Sequence, residues 1–301
     1  IFIKRYTMEF HGPIVRPYTD ADSLFIEVTT GCTHNSCTFC NFYKDTPFRV
    51  APIEQVEKDL QEASREVPFA TRIWASGGNP FCLSTRRLIQ LGDLFKKYFP
   101  KARVSTYARI DDLFHKSAED IREIREHGID DVLIGIESGD DDVLKAVNKG
   151  YTAEDVIREC QKIGQAGLPF RIIYLGGLAG AGRLEESARK SAAVFNQIHP
   201  YYMYLTNVAV LPGTKLYGQM MRGEFAEATE KERLQEIRTL LAEMRNPIVV
   251  DTESAASSIY LKAKLPEEKA SVLRELDAFI ARFSPEQEKL LHARRARMLS
   301  V

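Results

Sequence analysis

Short apolar runs alternate with amphipathic segments along the first two thirds of the chain. Six runs are predicted as strands, at residues 24–29, 72–75, 103–107, 132–136, 170–174 and 202–208. Five segments with apolar residues at helical spacing are predicted as helices, at residues 53–65, 85–99, 117–127, 153–165 and 184–198. This alternation favours parallel pairing, so we expect an α/β fold in which six βα units form a partial (βα)6 TIM-like barrel. An open doubly wound sheet has the same pattern and remains an alternative.

Beyond Pro212 the regular alternation is lost. Helices are predicted at residues 231–245, 267–283 and 285–298, and short strands at residues 248–250 and 258–261. We therefore expect an N-terminal arm (1–22), a barrel core (23–220) and a small C-terminal α/β extension (221–301). The last helix carries Arg294, Arg295 and Arg297. We interpret these as solvated charges that the helix C-terminus favours, rather than as an RNA contact.

The composition is that of an ordinary globular protein, with 44% hydrophobic and 28% charged residues. A formal net charge of −1 argues against a broad nucleic-acid-binding surface, although a local basic patch remains possible. No apolar stretch approaches the roughly 18–20 residues that span a bilayer. The odd number of cysteines, five, argues against a disulfide scaffold and for a reducing compartment. We therefore expect a cytoplasmic protein without a membrane contact.

Three of the five cysteines lie in the loop after the first predicted strand. Four residues separate Cys32 from Cys37, and two separate Cys37 from Cys40. Three thiolates can hold an iron–sulfur cluster through three irons and leave the fourth iron open to a small molecule. The alternative is structural zinc, with His34 completing a Cys₃His tetrahedron. Structural zinc loops usually take two ligand pairs from separated knuckles, so we favour the cluster.

The cysteine loop and two further segments resemble the radical S-adenosylmethionine (SAM) superfamily, and the resemblance covers about two thirds of the chain. The usual cysteine spacing there is three residues and then two, and the present spacing resembles that of a set of uncharacterised bacterial members. Residues 76–80, Ser-Gly-Gly-Asn-Pro, look like the Gly-Gly-Glu-Pro segment of the family with Asn in place of Glu. Residues 135–140, Gly-Ile-Glu-Ser-Gly-Asp, and 148–150, Asn-Lys-Gly, are similar to the branch of coproporphyrinogen dehydrogenase and the methylthiotransferases.

The resemblance implies the cofactors and the reaction. A [4Fe–4S] cluster would be bound by Cys32, Cys37 and Cys40, and SAM would chelate the open iron. Reductive cleavage of SAM would give a 5′-deoxyadenosyl radical that abstracts hydrogen from an unknown, small-molecule substrate. The reductant would be a partner such as flavodoxin or ferredoxin. The alternative is a non-catalytic carrier or chaperone that binds a cluster or haem on the same barrel.

Further residues are expected to contact SAM. The resemblance assigns Glu137 to the ribose hydroxyls and Lys149 to the SAM carboxylate, while glycines at the second strand end let the backbone approach the SAM amino group. Arg109, placed near the end of the third strand, is expected to pair with SAM or substrate, or to form a packing salt bridge. The complete expected set is Phe39, Gly77, Gly78, Asn79, Ser105, Arg109, Glu137, Lys149 and Leu211.

Other sequence features restrict the reaction. Cys82 and Cys160 are isolated and cannot hold a second full cluster, which disfavours a methylthiotransferase or an enzyme with auxiliary clusters. The glycine-rich residues 175–182 match no dinucleotide fingerprint. We expect this segment to pass close to the adenine or to act as a lid. The sequence assigns no catalytic residue beyond the cofactor sites.

Overall fold

The computed structural model describes residues 8–299. The strands are β1 Leu24–Glu27, β2 Thr29–Thr30, β3 Arg49–Val50, β4 Arg72–Ser76, β5 Arg103–Ala108, β6 Asp131–Glu137, β7 Phe170–Gly176, β8 Tyr202–Asn207, β9 Ile248–Asp251 and β10 Lys262–Leu265. The α-helices are α1 Ile53–Glu66, α2 Thr85–Tyr98, α3 Ala118–Glu126, α4 Asp141–Ala146, α5 Ala153–Gln165, α6 Leu184–Phe195, α7 Lys215–Met221, α8 Glu230–Glu243, α9 Lys269–Ala281 and α10 Pro285–Ala296. Within residues 8–299, each helix is too short or too polar to cross a bilayer.

The first of two compact units comprises residues 8–35, 42–133 and 165–169. Strands β1, β4 and β5 pair in parallel, so their carboxyl ends meet at one edge. Helices α1, α2 and α3 pack in succession and bury their apolar faces. Ser84 and Ser117 cap α2 and α3 by accepting backbone N–H bonds in the first turn, which explains where these helices begin.

The second unit comprises residues 36–41, 134–164 and 170–299. Strands β7, β8 and β9 pair in parallel, and β10 joins β9 in antiparallel fashion. Side chains alternate along β8: Met203 and Leu205 are buried, whereas Tyr202 and Tyr204 are partly exposed. Helix α8 packs on α6 and α9. Buried apolar residues of the strands and helices form the core of this unit.

The strands form one eight-stranded sheet in the order β1-β4-β5-β6-β7-β8-β9-β10. The six predicted strands of the barrel correspond to β1 and β4–β8, and the α/β fold class is confirmed. Strands β9 and β10, from the predicted C-terminal extension, continue the sheet beyond β8. The domain boundaries at residues 22 and 220 stay predictions.

The predicted strand at residues 258–261 is wrong, because these residues form an irregular segment before β10. The backbone N–H of Thr252 donates to the carbonyl of Leu261 at 2.9 Å, and Leu261 N–H donates to Thr252 Oγ1 at 2.8 Å. Side-chain bonds of this kind compete with a strand ladder. Helices α4 and α7 were missed because six and seven residues are too few to show a helical period.

The interpretation of the C-terminal arginines as solvated charges is wrong for Arg295. Its side chain is 4% exposed and donates to both carboxylate oxygens of Glu230, at 2.9 and 2.6 Å. Burial alone would raise the pKa of Glu230, but the bonds and charge of Arg295 keep that pKa below its ordinary value. Arg295 therefore holds α10 against the start of α8.

Candidate functional site

The three cysteines of the predicted cluster loop have partly exposed side chains. Cys32 lies in the first unit, and Cys37 and Cys40 lie in the second. Among the side chains of residues 8–299, no three His, Cys, Asp or Glu groups converge on a position for a single metal ion. A cluster requires no such convergence, since each thiolate binds a different iron.

Hydrogen bonds hold the residues on either side of Cys32. The N–H of Gly78 donates to the carbonyl of Gly31 at 3.0 Å. The N–H of Thr33 donates to Asn79 Oδ1 at 3.0 Å, and Asn79 Nδ2 returns a bond to Thr33 Oγ1 at 2.6 Å. The segment after β4 therefore holds Cys32, the first predicted cluster ligand, through hydrogen bonds to the residues before and after it.

Glycine is required at both positions of the Gly77-Gly78 pair. Gly77 has a φ of +151°, and a Cβ there would lie 1.9 Å from Thr29 Oγ1. A Cβ at Gly78 would lie 2.3 Å from the carbonyl oxygen of Gly31 and 2.9 Å from Cys32 Cβ. The pair therefore lies directly against the chain that carries Cys32. Its expected contact with the SAM amino group stays a prediction.

The side chain of Asn79 is fully buried and makes hydrogen bonds to other residues of the protein. Besides its bonds to Thr33, Asn79 Nδ2 donates to Asp112 Oδ1 at 2.8 Å. Asp112 Oδ2 accepts the backbone N–H of Arg109, also at 2.8 Å. Burial raises the pKa of Asp112 to about 7. Asn79 is thus a link between the cysteine loop and the turn after β5.

Two further predicted SAM ligands also make internal contacts. Arg109 is 5% exposed and pairs with Asp111, with Nε 2.9 Å from Oδ1 and Nη2 3.1 Å from Oδ2. Ser105 lies in the middle of β5. Its hydroxyl donates to Asp131 Oδ2 and accepts from Arg72 Nη1, both at 3.0 Å. Their contacts with SAM stay predictions.

Glu137 and Lys149 are brought together within the second unit. Lys149 Nζ lies 3.3 Å from Glu137 Oε1 and donates to the carbonyl of Gly135 at 2.8 Å. The two side chains are 11% and 4% exposed. Glu137 ends β6 with a φ of +73°, a left-handed conformation that glutamate seldom adopts. Backbone strain of this kind is concentrated at functional sites, which supports a role for Glu137.

Phe39 and Leu211 both belong to the second unit. Phe39 is partly buried against a cluster of buried side chains: Val143, Val147, Leu178, Val208 and Leu216. The N–H of Thr38 donates to the carbonyl of Val147 at 3.0 Å, which fixes the loop between Cys37 and Cys40. Leu211 is 2% exposed, and its carbonyl accepts Thr214 Oγ1 at 2.7 Å.

Sequence analysis missed the residues that hold two of these segments. Asn148 Nδ2 donates to the carbonyl and the hydroxyl of Ser36, both at 3.1 Å, and its φ is +56°. The asparagine directly before Lys149 could have indicated a left-handed residue from the sequence, because asparagine tolerates that conformation. Tyr151 donates its hydroxyl to the carbonyl of Gly135 at 2.7 Å, next to the Lys149 bond.

The glycine-rich segment after β7 is bound to α8. Gly177 N–H donates to Glu236 Oε2 and Tyr174 donates its hydroxyl to Glu236 Oε1, both at 2.8 Å. Gly182 N–H donates to Glu232 Oε1 at 2.8 Å. Burial raises the pKa of Glu236 to about 7. No local sequence pattern indicates this carboxylate, because its partners are far away along the chain.

Comparison with protein families decides the classification. A family model described as the radical SAM superfamily matches residues 26–187, which is more than half of the chain. The chain belongs to the radical SAM superfamily. Radical SAM enzymes bind a [4Fe–4S] cluster and SAM, so the expected cofactors are confirmed, whereas the individual ligands stay predictions.

Two curated radical SAM relatives match only in part. The heme chaperone HemW of Bacillus subtilis (strain 168) is 23% identical over 226 residues, which are 71% of this chain and 57% of the relative. The tRNA uridine(34) acetyltransferase of Methanocaldococcus infernus is 25% identical over 122 residues, 40% of this chain and 23% of the relative. The chain thus spans less than two thirds of either protein.

Solved structures confirm the fold. Methylornithine synthase (PylB) matches with a TM-score of 0.54 and 15% identity, over 90% of this chain and 85% of that one. Elp3 of Methanocaldococcus infernus matches with a TM-score of 0.51 and 16% identity, over 84% of this chain and 62% of that one. Structural neighbours in the superfamily have partial TIM barrels, in agreement with the predicted fold class.

The residues of the chain fit the cofactors of the superfamily. Three partly exposed thiols are soft ligands of the kind that iron–sulfur clusters require. Gly78 lies so close to Cys32 that a Cβ would collide with it. The buried Lys149 ammonium and Glu137 carboxylate supply the charge types that suit a carboxylate and a ribose diol.

Proposed function

We propose that the chain is an enzyme that cleaves SAM reductively and abstracts hydrogen from a small-molecule substrate. Cys32, Cys37 and Cys40 hold the [4Fe–4S] cluster. The bound cofactors supply the 5′-deoxyadenosyl radical, and the protein orients them and excludes water. The observation that carries the proposal is the pair of hydrogen bonds that flank Cys32: Gly78 N–H donates to the carbonyl of Gly31, and Thr33 N–H donates to Asn79 Oδ1.

Lys149 and Glu137 bind SAM in this proposal. The Lys149 ammonium pairs with the carboxylate of SAM, and the Glu137 carboxylate accepts bonds from the ribose hydroxyls. Their burial supports these roles, because hydrogen bonds to charged groups are stronger where water is scarce. Tyr151 and the carbonyl of Gly135 keep the Lys149 side chain in place.

Anaerobic reconstitution with iron and sulfide tests the proposal. The wild-type chain should hold about four iron and four sulfide and release 5′-deoxyadenosine when dithionite and SAM are added. Cys37→Ala should lose both properties, and Cys160→Ala, at an isolated buried cysteine, should retain them. One zinc per chain without labile sulfide would overturn the cluster assignment.

The second candidate is a non-catalytic carrier of a cluster or haem. The similarity to a heme chaperone over 71% of the chain favours it. A carrier should bind haem at a ratio of about one per chain and release no 5′-deoxyadenosine from SAM. A reconstituted chain that holds four iron, binds haem and leaves SAM intact would replace the first proposal with this one.

The proposed chemistry also requires an electron donor and a reducing compartment. A low-potential reductant such as flavodoxin or ferredoxin has to deliver one electron for each SAM that is cleaved. The cluster thiols have to remain reduced before assembly, so we place the protein in the cytoplasm. A chemically reduced flavodoxin that replaces dithionite in the assay would support this partner.

A further inference from the structure

Polar side chains occupy part of one face of the sheet in the second unit. The strand register aligns Arg171 with Tyr202, Tyr204 with Asp251, and Asp251 with Lys262, so these five residues share a face. Two apolar residues, Ile173 and Val249, lie on the same face. Parallel strands are usually apolar on both faces, because helices cover both. The polar side chains on these strands are therefore candidates for contact with a ligand.

Asp251 is the charged centre of this face. Its side chain is 2% exposed, and it accepts hydrogen bonds from the Tyr202 hydroxyl and, at 2.8 Å, from Glu253 N–H. Burial acts to raise the pKa of Asp251, but these bonds and the Lys262 ammonium keep it below its ordinary value. The group is therefore a buried carboxylate at neutral pH.

Lys262 shows what this carboxylate can bind. Its ammonium lies 3.0 Å from Asp251 Oδ2, 3.2 Å from the Tyr202 hydroxyl and 5.3 Å from the centroid of the Tyr202 ring. A carboxylate, a hydroxyl and an aromatic face together form a binding site for an ammonium group. The Lys262 side chain is 59% exposed, so it can turn into solvent at little cost.

A cavity of about 330 Å³ opens beside this ammonium. Asp251, Glu253, Tyr260, Leu261 and Lys262 line it. Glu253 adds a second carboxylate and Tyr260 a second aromatic ring. Asp251 is the last residue of β9 and lies opposite Tyr204 of β8. The volume suits a small molecule whose charged end replaces the Lys262 ammonium.

We propose that this cavity binds the primary ammonium group of a small molecule, whose position Lys262 occupies when the ligand is absent. The ligand class is then a primary amine. Asp251 and Tyr202 contact the ammonium, and Glu253 and Tyr260 contact the adjoining part of the ligand.

Ligand-observed NMR titration with n-butylammonium tests the site, with n-butanol as the uncharged control. Lys262→Met removes the internal competitor and should tighten binding of n-butylammonium about tenfold, as expected if Lys262 fills the site nine-tenths of the time. Lys264→Met, on the same face of β10, should leave binding at the wild-type level. Asp251→Asn should weaken binding at least tenfold, with a thermal melt to verify its fold.

Equal affinity of the wild-type chain and Lys262→Met for n-butylammonium would overturn the proposal, as would equal binding of n-butanol. The titration requires neither the cluster nor SAM. Its failure therefore leaves the proposed radical reaction standing. Conversely, amine binding by a chain that does not cleave SAM would keep the site and remove the radical chemistry.

Discussion

At the scale of single residues, Gly78 leaves little room for change. Its position against Gly31 and Cys32 means that an added methyl group meets backbone atoms and the Cβ of a predicted cluster ligand. Neither can move without displacing the loop that carries the cysteines. Packing at Gly78 should therefore affect how well the cysteine loop binds the cluster.

Gly78→Ala should destabilise the chain by about 1–3 kcal/mol, the usual cost of overpacking, and should lower the iron bound on reconstitution. Urea unfolding and iron content measure the two effects. Gly164→Ala is the matched control, because a Cβ at Gly164 meets nothing within 4 Å. In helix α5 that change should stabilise the chain by about 0.5–1 kcal/mol. A Gly78→Ala chain with a full complement of iron would contradict the expectation.

Lys149→Met leaves the Glu137 carboxylate buried without its cation. Removing one partner of a buried ion pair costs about 3–5 kcal/mol in the free energy of unfolding. SAM affinity of the reconstituted chain should also fall at least about tenfold, since a charge-assisted bond is lost. Urea unfolding and equilibrium dialysis with SAM measure these effects.

The double variant Glu137→Gln/Lys149→Met separates stability from binding. It should recover part of the lost stability, because no unpaired carboxylate remains, while SAM affinity stays low. Arg122→Met, which breaks an exposed pair with Glu119, should change stability by less than about 1 kcal/mol. Unchanged SAM affinity in Lys149→Met would remove Lys149 from the proposed site.

Between elements, the buried carboxyl group of Glu236 joins α8 to the segment after β7. Glu236 is 1% exposed and accepts bonds from the Tyr174 hydroxyl and Gly177 N–H. A Cβ at Gly177 would also lie 2.0 Å from Nη1 of the buried Arg233. The glycine-rich segment is thus held by α8 through both hydrogen bonds and close packing.

Glu236 should make stability depend on pH. Its pKa in the folded chain is about 7, above the unfolded value of 4.5. Between these values the unfolded chain loses the proton first, so the free energy of unfolding falls as the pH rises and levels off above pH 7. Glu236→Gln does not titrate; its oxygen can accept the Gly177 N–H, and its amide nitrogen can donate to the Tyr174 hydroxyl, which reverses that bond. Urea unfolding at pH 5 and pH 8 should show wild type losing up to about 3 kcal/mol relative to Glu236→Gln. Parallel pH profiles would contradict the assignment.

At the scale of the whole molecule, binding of the cofactors should raise the free energy of unfolding. A ligand that binds only the folded chain adds about 2.7 kcal/mol at a concentration 100 times its dissociation constant. Reconstituted chain with saturating SAM should therefore melt several degrees higher than the apo chain. Chelation of iron followed by gel filtration should abolish the SAM-dependent shift. A shift of equal size in Cys37→Ala would show that SAM binds independently of the cluster.

Much of the architecture was predictable because apolar periodicity is a local property. Helix α5 was predicted with its observed bounds, and each strand of the predicted barrel was found. Contacts between distant residues were not predictable. Asn79 bonds to Asp112 and Ser105 to Asp131, across 33 and 26 positions of sequence. The family resemblance therefore identified candidate residues, whereas the partners of their side chains emerged only from the fold.

The conformation of Glu137 restricts which residues evolution or a designer can place there. Glycine and asparagine readily adopt a left-handed backbone such as that at the end of β6, whereas glutamate adopts it at a cost in conformational free energy. In a saturation library, glycine at this position should relieve the backbone strain, but it should also remove the proposed ribose ligand and leave the buried Lys149 ammonium without its carboxylate. The backbone and the ion pair therefore favour different residues at position 137, and a preference for glycine there should emerge only in a library in which Lys149 is replaced by a neutral residue.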